Sequence, residues 1–178
     1  MSQSRLASFA VITLFANALP ASADNIYCVV TGAQQGAFHT DPVGPKSTQI
    51  PVSFLTQGIS TPYSSASGGA TGKQAHSPLT ITKSLDASSV QFFVAAVTNE
   101  RLPSVKCSFY RQSNEGLRPY FQITLTNAVI VEYKNSGDGV NGDTHSDEHE
   151  RISFTYQKIA LTDLDSGMSA TDDWNVSD

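Results

Sequence analysis

Charge is scarce in this chain. Of its 178 residues 15% are charged, and 11 Lys and Arg face 16 Asp and Glu, so no basic stripe exists to displace counterions and nucleic-acid binding is excluded. Long apolar runs are missing too. The run from Leu6 to Ala16 is too brief to cross a bilayer, which needs roughly 20 residues. There is no GxSxG elbow to strain a nucleophile, and His39, His76, His145 and His149 all fall in predicted loops, so nothing supports a hydrolase triad. Helical periodicity is nearly absent as well. One stretch carries it, and the remainder must be strand and loop.

What is present is rich in Ser, Thr and Gly, in a chain of one-domain length with room for a core. Residues 1–23 read as a secretory signal: Arg5, the apolar run, Pro20, then Ala21-Ser22-Ala23 as a small-x-small cleavage site. The mature domain is then 24–178, outside the cytoplasm, with no membrane contact once the signal is removed.

The single helical stretch follows a strand, Leu79, Ile81 and Lys83, whose side chains alternate. Asp86 or Ser88 offers the capping oxygen, and Asn99 with Pro103 marks the stop. Val90, Phe93, Val94 and Val97 fall at i, i+3, i+4 and i+7. This stripe is expected to dock on a sheet, because a helix of about 10 to 12 residues is marginal alone. Strands are expected at 25–31, at 50–60 with breaks at Pro51 and Gly58, at 105–110, at 121–133 with a bend near Asn127, and at 152–161 with a bulge at Gln157-Lys158. About seven strands and one helix imply a mainly β fold, a barrel or sandwich capped by the helix.

Between the second and third strands, 61–77 has almost nothing to bury and should project as an extended loop. Its GGATGK, Gly68 to Lys73, is no phosphate loop: Ser67 and Gln74 stand where Gly and Ser or Thr are required, and strand follows. Asp138, Asp143, His145, Asp147, Glu148, His149 and Glu150 crowd one segment but match neither calcium nor zinc spacing, so a solvated hairpin loop without metal is expected. Cys28 and Cys107 both lie in predicted strands. Either they pair as a disulfide or they are two small buried residues.

An ordered series of motifs resembles the haemolysin-coregulated protein family, Hcp, the inner tube of type VI secretion systems. NIYCVVTG (Asn25 to Gly32) resembles its first strand, IPVSFLTQGISTP (Ile50 to Pro62) its second, and ITKSLDASS (Ile81 to Ser89) its T-K-x-x-D-x-x-S/T stretch. RLPSVKCSFYR, ITLTNAVI, ERISFTYQKI and the terminal DWN follow in the family's order. The resemblance implies a β-barrel of two packed antiparallel sheets with one flanking helix at about 87–98. It implies homohexameric rings that stack into a tube and carry effector proteins in the lumen, with no catalysis and no cofactor. Thr56 would face the lumen beside Gln57, where the family has tryptophan. Ser64, Ser67, Gly68, Gly69 and Lys73 of the loop would reach the adjoining ring. The family's subunits assemble in the cytoplasm without a leader. A working leader here would favour an exported binding or carrier module instead, and an inactive one a cytoplasmic tube.

Overall fold

In a computed structural model of the protein, residues 25–40, 47–137 and 148–174 are described. Strands β1 (Asn25–Gly32), β2 (Gly36–Ala37), β3 (Ile50–Val52), β4 (Phe54–Thr56), β5 (Ile59–Ser60), β6 (Ala75–His76) and β7 (Leu79–Ser84) precede the helix α1 (Ala87–Thr98). After it come β8 (Leu102–Ser113), β9 (Gly116–Ser136), β10 (His149–Thr155), β11 (Lys158–Asp163) and β12 (Ser169–Asp173). The expected strand at 50–60 is three short ones, broken at Ser53 and at Gln57-Gly58, while Pro51 lies inside β3; with β2, β6 and β12 the number rises above seven.

Antiparallel pairing runs in a circuit. β1 pairs with β8, β8 with β9, β9 with β10, β10 with β7 and β7 with β4. Ser53 alone separates β4 from β3, and β3 returns to β1. At that corner Ser53 donates from both its N–H and its Oγ to the Thr82 carbonyl, so the circuit closes through the chain itself. Within it lie Cys28, Val30, Ile81, Phe92, Val105, Leu125, Ile152 and Phe154, all at or near zero exposure.

β9 is the common wall, and it bends at Asn127, whose φ of 51° lies in the left-handed region. Up to Ala128 it pairs with β8, and its stretch from Phe121 to Thr126 also pairs with β11. From Val129 onward it pairs with β10. Asn127 Nδ2 donates to Gln157 Oε1 at 2.8 Å, pinning this bend to the gap between β10 and β11. The expected single strand over 152–161 is therefore two strands. Its parity changes at that gap, and the register shift lies at Ser153/Phe154 instead of Gln157-Lys158. β12, which no expectation covered, is an outer strand on β11 with a polar, largely exposed sequence.

The helix bounds agree with the reading of the sequence. Asp86 is the N-cap, accepting from Ser88 N–H at 2.8 Å, while the Ser89 Oγ accepts from Asp86 N–H at 3.0 Å to complete a capping box. Asn99, with φ 50°, closes the C-terminus. The docking face is a correction. Ser88, Phe92 and Ala95 are buried, and Phe92 meets Phe38 and Phe154. Val90, Phe93, Val94 and Val97 lie on the opposite side, with Val90 68% and Val97 60% exposed and Phe93 half-exposed against Tyr133 of β9. At 3.6 residues per turn the two sets lie about 180° apart. This helix is apolar on both sides, so the periodic stripe did not decide which side the sheet takes.

Candidate functional site

Beyond Ala128, β9 parts from β8, and α1 lies along the edge it leaves. Tyr133 donates its hydroxyl to the Ser89 carbonyl at 3.3 Å and its ring meets Phe93 at 5.9 Å. Burial, then the neighbouring Glu150 carboxylate, pushes the Tyr133 phenol up to about 12, so it remains a donor at any ordinary pH. Between helix and strand opens a groove of about 490 Å³ lined by Phe93, Ala96, Val97, Val131 and Tyr133. It is an apolar rim.

At the far side of the same sheet, β4 pairs only with β7 among the described residues, so its outer edge is open. Phe54 stands there 59% exposed. Between these two rims the outer face is polar. Thr56, Gln57, Thr80, Ser153, Glu132 and Arg151 line a shallow depression of about 500 Å³, where the Thr80 and Ser153 hydroxyls share a 2.8 Å hydrogen bond. Lys134, through a hydrogen bond and its charge, holds the Glu132 carboxyl below the usual carboxylate range.

A third surface is the projecting segment. It is a finger: β5 pairs with β6 in a two-stranded sheet of its own, Tyr63 bridges to Ala70, and Ser64 and Gly69 close the tip turn at 2.9 Å. Ser67, Gly68, Gly69 and Lys73 are exposed and Ser64 is half-buried. At the finger's base the His76 ring is enclosed, its side chain 1% exposed. Nε2 lies 2.7 Å from Asp172 Oδ2 and Nδ1 lies 3.2 Å from the Tyr156 hydroxyl. Neither His76, in β6, nor His149, in β10, is the loop residue expected.

Two buried networks fix these surfaces to the barrel. Lys83 and Glu150 are cross-strand partners in β7 and β10, both wholly buried, with Nζ 2.7 Å from Oε1. The ammonium also reaches Asp86 at 2.9 Å and Ser89 at 3.3 Å, which binds the helix cap to the sheet. Glu150 is thus an interior counter-ion and not a member of a solvated acidic loop. Asp138, Asp143, His145 and Asp147 lie outside the described residues. Glu100, just past the helix, accepts from the N–H groups of Gln34 and Gln35 and from the Gln35 amide. Burial would raise its pKa, but those donors outweigh it and hold the carboxyl below its ordinary value. Gly32 makes the approach possible, since a Cβ there would meet Glu100 Oε1 at 2.5 Å. Cys28 and Cys107 stand opposite each other in β1 and β8 and are joined by a disulfide.

No cluster of His, Cys, Asp or Glu able to hold a metal ion occurs among the described residues. The profile of the family described as "Type VI secretion system effector, Hcp" matches residues 36–162. This chain belongs to the Hcp family. The chain is 34% identical over 161 residues to the "Major exported protein" of Pseudomonas aeruginosa, covering 83% of this chain and 94% of that one. Among solved structures, one titled "Crystal structure of Hcp protein" aligns with a TM-score of 0.77 at 23% identity over 85% of this chain and 100% of that one. The secreted protein Hcp3 from Pseudomonas aeruginosa aligns at 0.66 with 27% identity over 84% of this chain and 99% of the other. The mainly β fold with one helix is therefore the Hcp fold. The family consists of secreted, structural type VI proteins and not of enzymes.

Proposed function

We propose that the protein is the ring-forming subunit of a type VI secretion tube. The observation that carries this is the pair of unlike rims on one sheet: the open β4 edge with Phe54 on one side, and the groove between α1 and β9 on the other. Unlike rims make heterologous contacts, which repeat from copy to copy and close into a ring when the rotation allows. In a hexamer of this kind, Phe54 of one copy enters the groove of Phe93, Val97 and Val131 on the next. The four strands β4, β7, β10 and β9 then line the lumen with Thr56 and its polar neighbours, a wetted wall along which folded effectors pass. Ser64, Ser67, Gly68, Gly69 and Lys73 of the finger contact the adjoining ring.

A second reading has its own support. Residues 1–23 have the order of an export signal, and the Cys28–Cys107 disulfide belongs to oxidising compartments. Together they favour an exported Hcp-like carrier or binding module outside a contractile machine. N-terminal sequencing of the native protein combined with its mass in solution separates the two. An uncleaved chain in six-fold assemblies supports the tube; a monomer beginning near Asp24 supports the exported module.

A further inference from the structure

The finger's backbone ladder is its own. β5 and β6 pair with each other in a sheet separate from the barrel's, and Ser77 N–H closes the base onto the Gly58 carbonyl within the same hairpin. A two-stranded hairpin of this kind is marginal in water and its direction is not fixed by the barrel's ladders. Its side-chain hydrogen bonds to the barrel come from its base: Gln74 to Asp172 at 3.4 Å, and His76 to Asp172 and Tyr156. We propose that His76 is the positioning residue of the finger, clamped by Asp172 of β12 and by Tyr156, so that the C-terminal strand sets the direction in which the finger projects.

Three observations make this more than a chance contact. First, both ring nitrogens are occupied while the side chain is sealed from water, an arrangement that fixes the ring's orientation as well as its position. Second, the ring is boxed by aromatics. Trp174 stands edge-on to it at 5.0 Å and stacks on Tyr156 at 5.1 Å, with Tyr156 edge-on at 6.0 Å. Third, the clamp joins parts of the chain 80 and 96 residues away from His76, so it ties the finger to the closing segment of the fold instead of to its own neighbours. The Tyr156 phenol is held above its ordinary value, by burial first, and keeps the proton it shares with this site. Lys73, Gln74, Asp172 and Trp174 line the depression of about 430 Å³ between finger and β12.

The consequence for assembly rests on the reading of the finger as the ring-to-ring contact. A finger held in one direction presents its tip ready for the next ring, while a swinging finger must be ordered at each contact. The test is hydrogen exchange over 59–76, measured beside ring stacking in negative stain, for wild type and His76→Phe, Asp172→Ala and Asp172→Asn. His76→Phe keeps a ring in the aromatic box and loses both hydrogen bonds. Asp172→Asn keeps an acceptor oxygen.

Exchange in the finger should quicken roughly tenfold in His76→Phe and in Asp172→Ala, with no further gain in the double variant, and Asp172→Asn should restore much of the protection. Stacked rings should be lost in the first two variants while single rings persist. If His76→Phe failed to fold, the half-exposed Asp172 pair of variants would carry the test. Unchanged exchange overturns the clamp. Faster exchange with unchanged stacking upholds the clamp and overturns the ring-to-ring role of the finger.

Discussion

Lys83 and Glu150 form an ion pair with both side chains wholly buried, and removing one partner leaves the other as an uncompensated charge out of reach of water. Glu150→Ala should therefore lower the unfolding free energy by about 3–5 kcal/mol, read from urea midpoints at unchanged slope. A loss under about 1 kcal/mol would mean that Asp86 and the Ser84 carbonyl suffice for Lys83. Glu100 has a different signature. Its folded-state carboxyl titrates below its unfolded value, so its stabilisation is complete above the ordinary carboxylate range and fades as pH falls through the folded value. Below about pH 4.5 the wild type should lose stability more steeply than Glu100→Gln, and parallel pH profiles would contradict the assignment. Neither role was visible in the sequence. Glu150 sits in a run of acids that looks solvated, and only strand register places it opposite Lys83. His76 was hidden in the same way, since its partners Tyr156 and Asp172 are distant in the chain.

At the scale of elements, the sequence was most informative where local chemistry decides. The capping box at Asp86 and the left-handed Asn99 delimit the helix using residues within one turn of each end. The bend at Asn127 was legible because the apolar alternation breaks there. Which side of α1 meets the barrel was not legible, for a physical reason: buried Phe92 packs against Phe38 and Phe154 beside buried Ala95, while four further apolar residues, Val90, Phe93, Val94 and Val97, share the opposite side. Phe92→Ala should accordingly cost about 3–5 kcal/mol, as expected for an emptied core site. Val97→Asp, 60% exposed, should change the stability of the isolated subunit by no more than about 0.5 kcal/mol. Equal losses for the two variants in thermal unfolding would put the docking face back on the stripe. β12 escaped notice because SATDD has no apolar alternation; it is held by the β11 ladder and by Arg111 and Arg118, which both bind Asp165 in the turn.

For the whole molecule, the circuit of strands covers most of the edges that would otherwise recruit other chains, and among the described residues it leaves the short β4 rim and the helix groove as apolar rims, with the polar β12 as an outer edge. The Cys28–Cys107 bridge spans 79 residues of that circuit, so reduction, or Cys28→Ser with Cys107→Ser, should lower stability by about 2–5 kcal/mol in denaturant titrations. An unchanged midpoint would mean that the barrel does not rely on the bridge. Family membership and the barrel were readable from the order of the motifs; the rims became visible only when the pairing showed which edges are left open. Their role is tested most directly by sedimentation of the full chain and its Val97→Asp variant side by side. The account predicts a six-fold assembly for the wild type and a monomer for the variant, and a variant that sediments with the wild type as the same ring would contradict it.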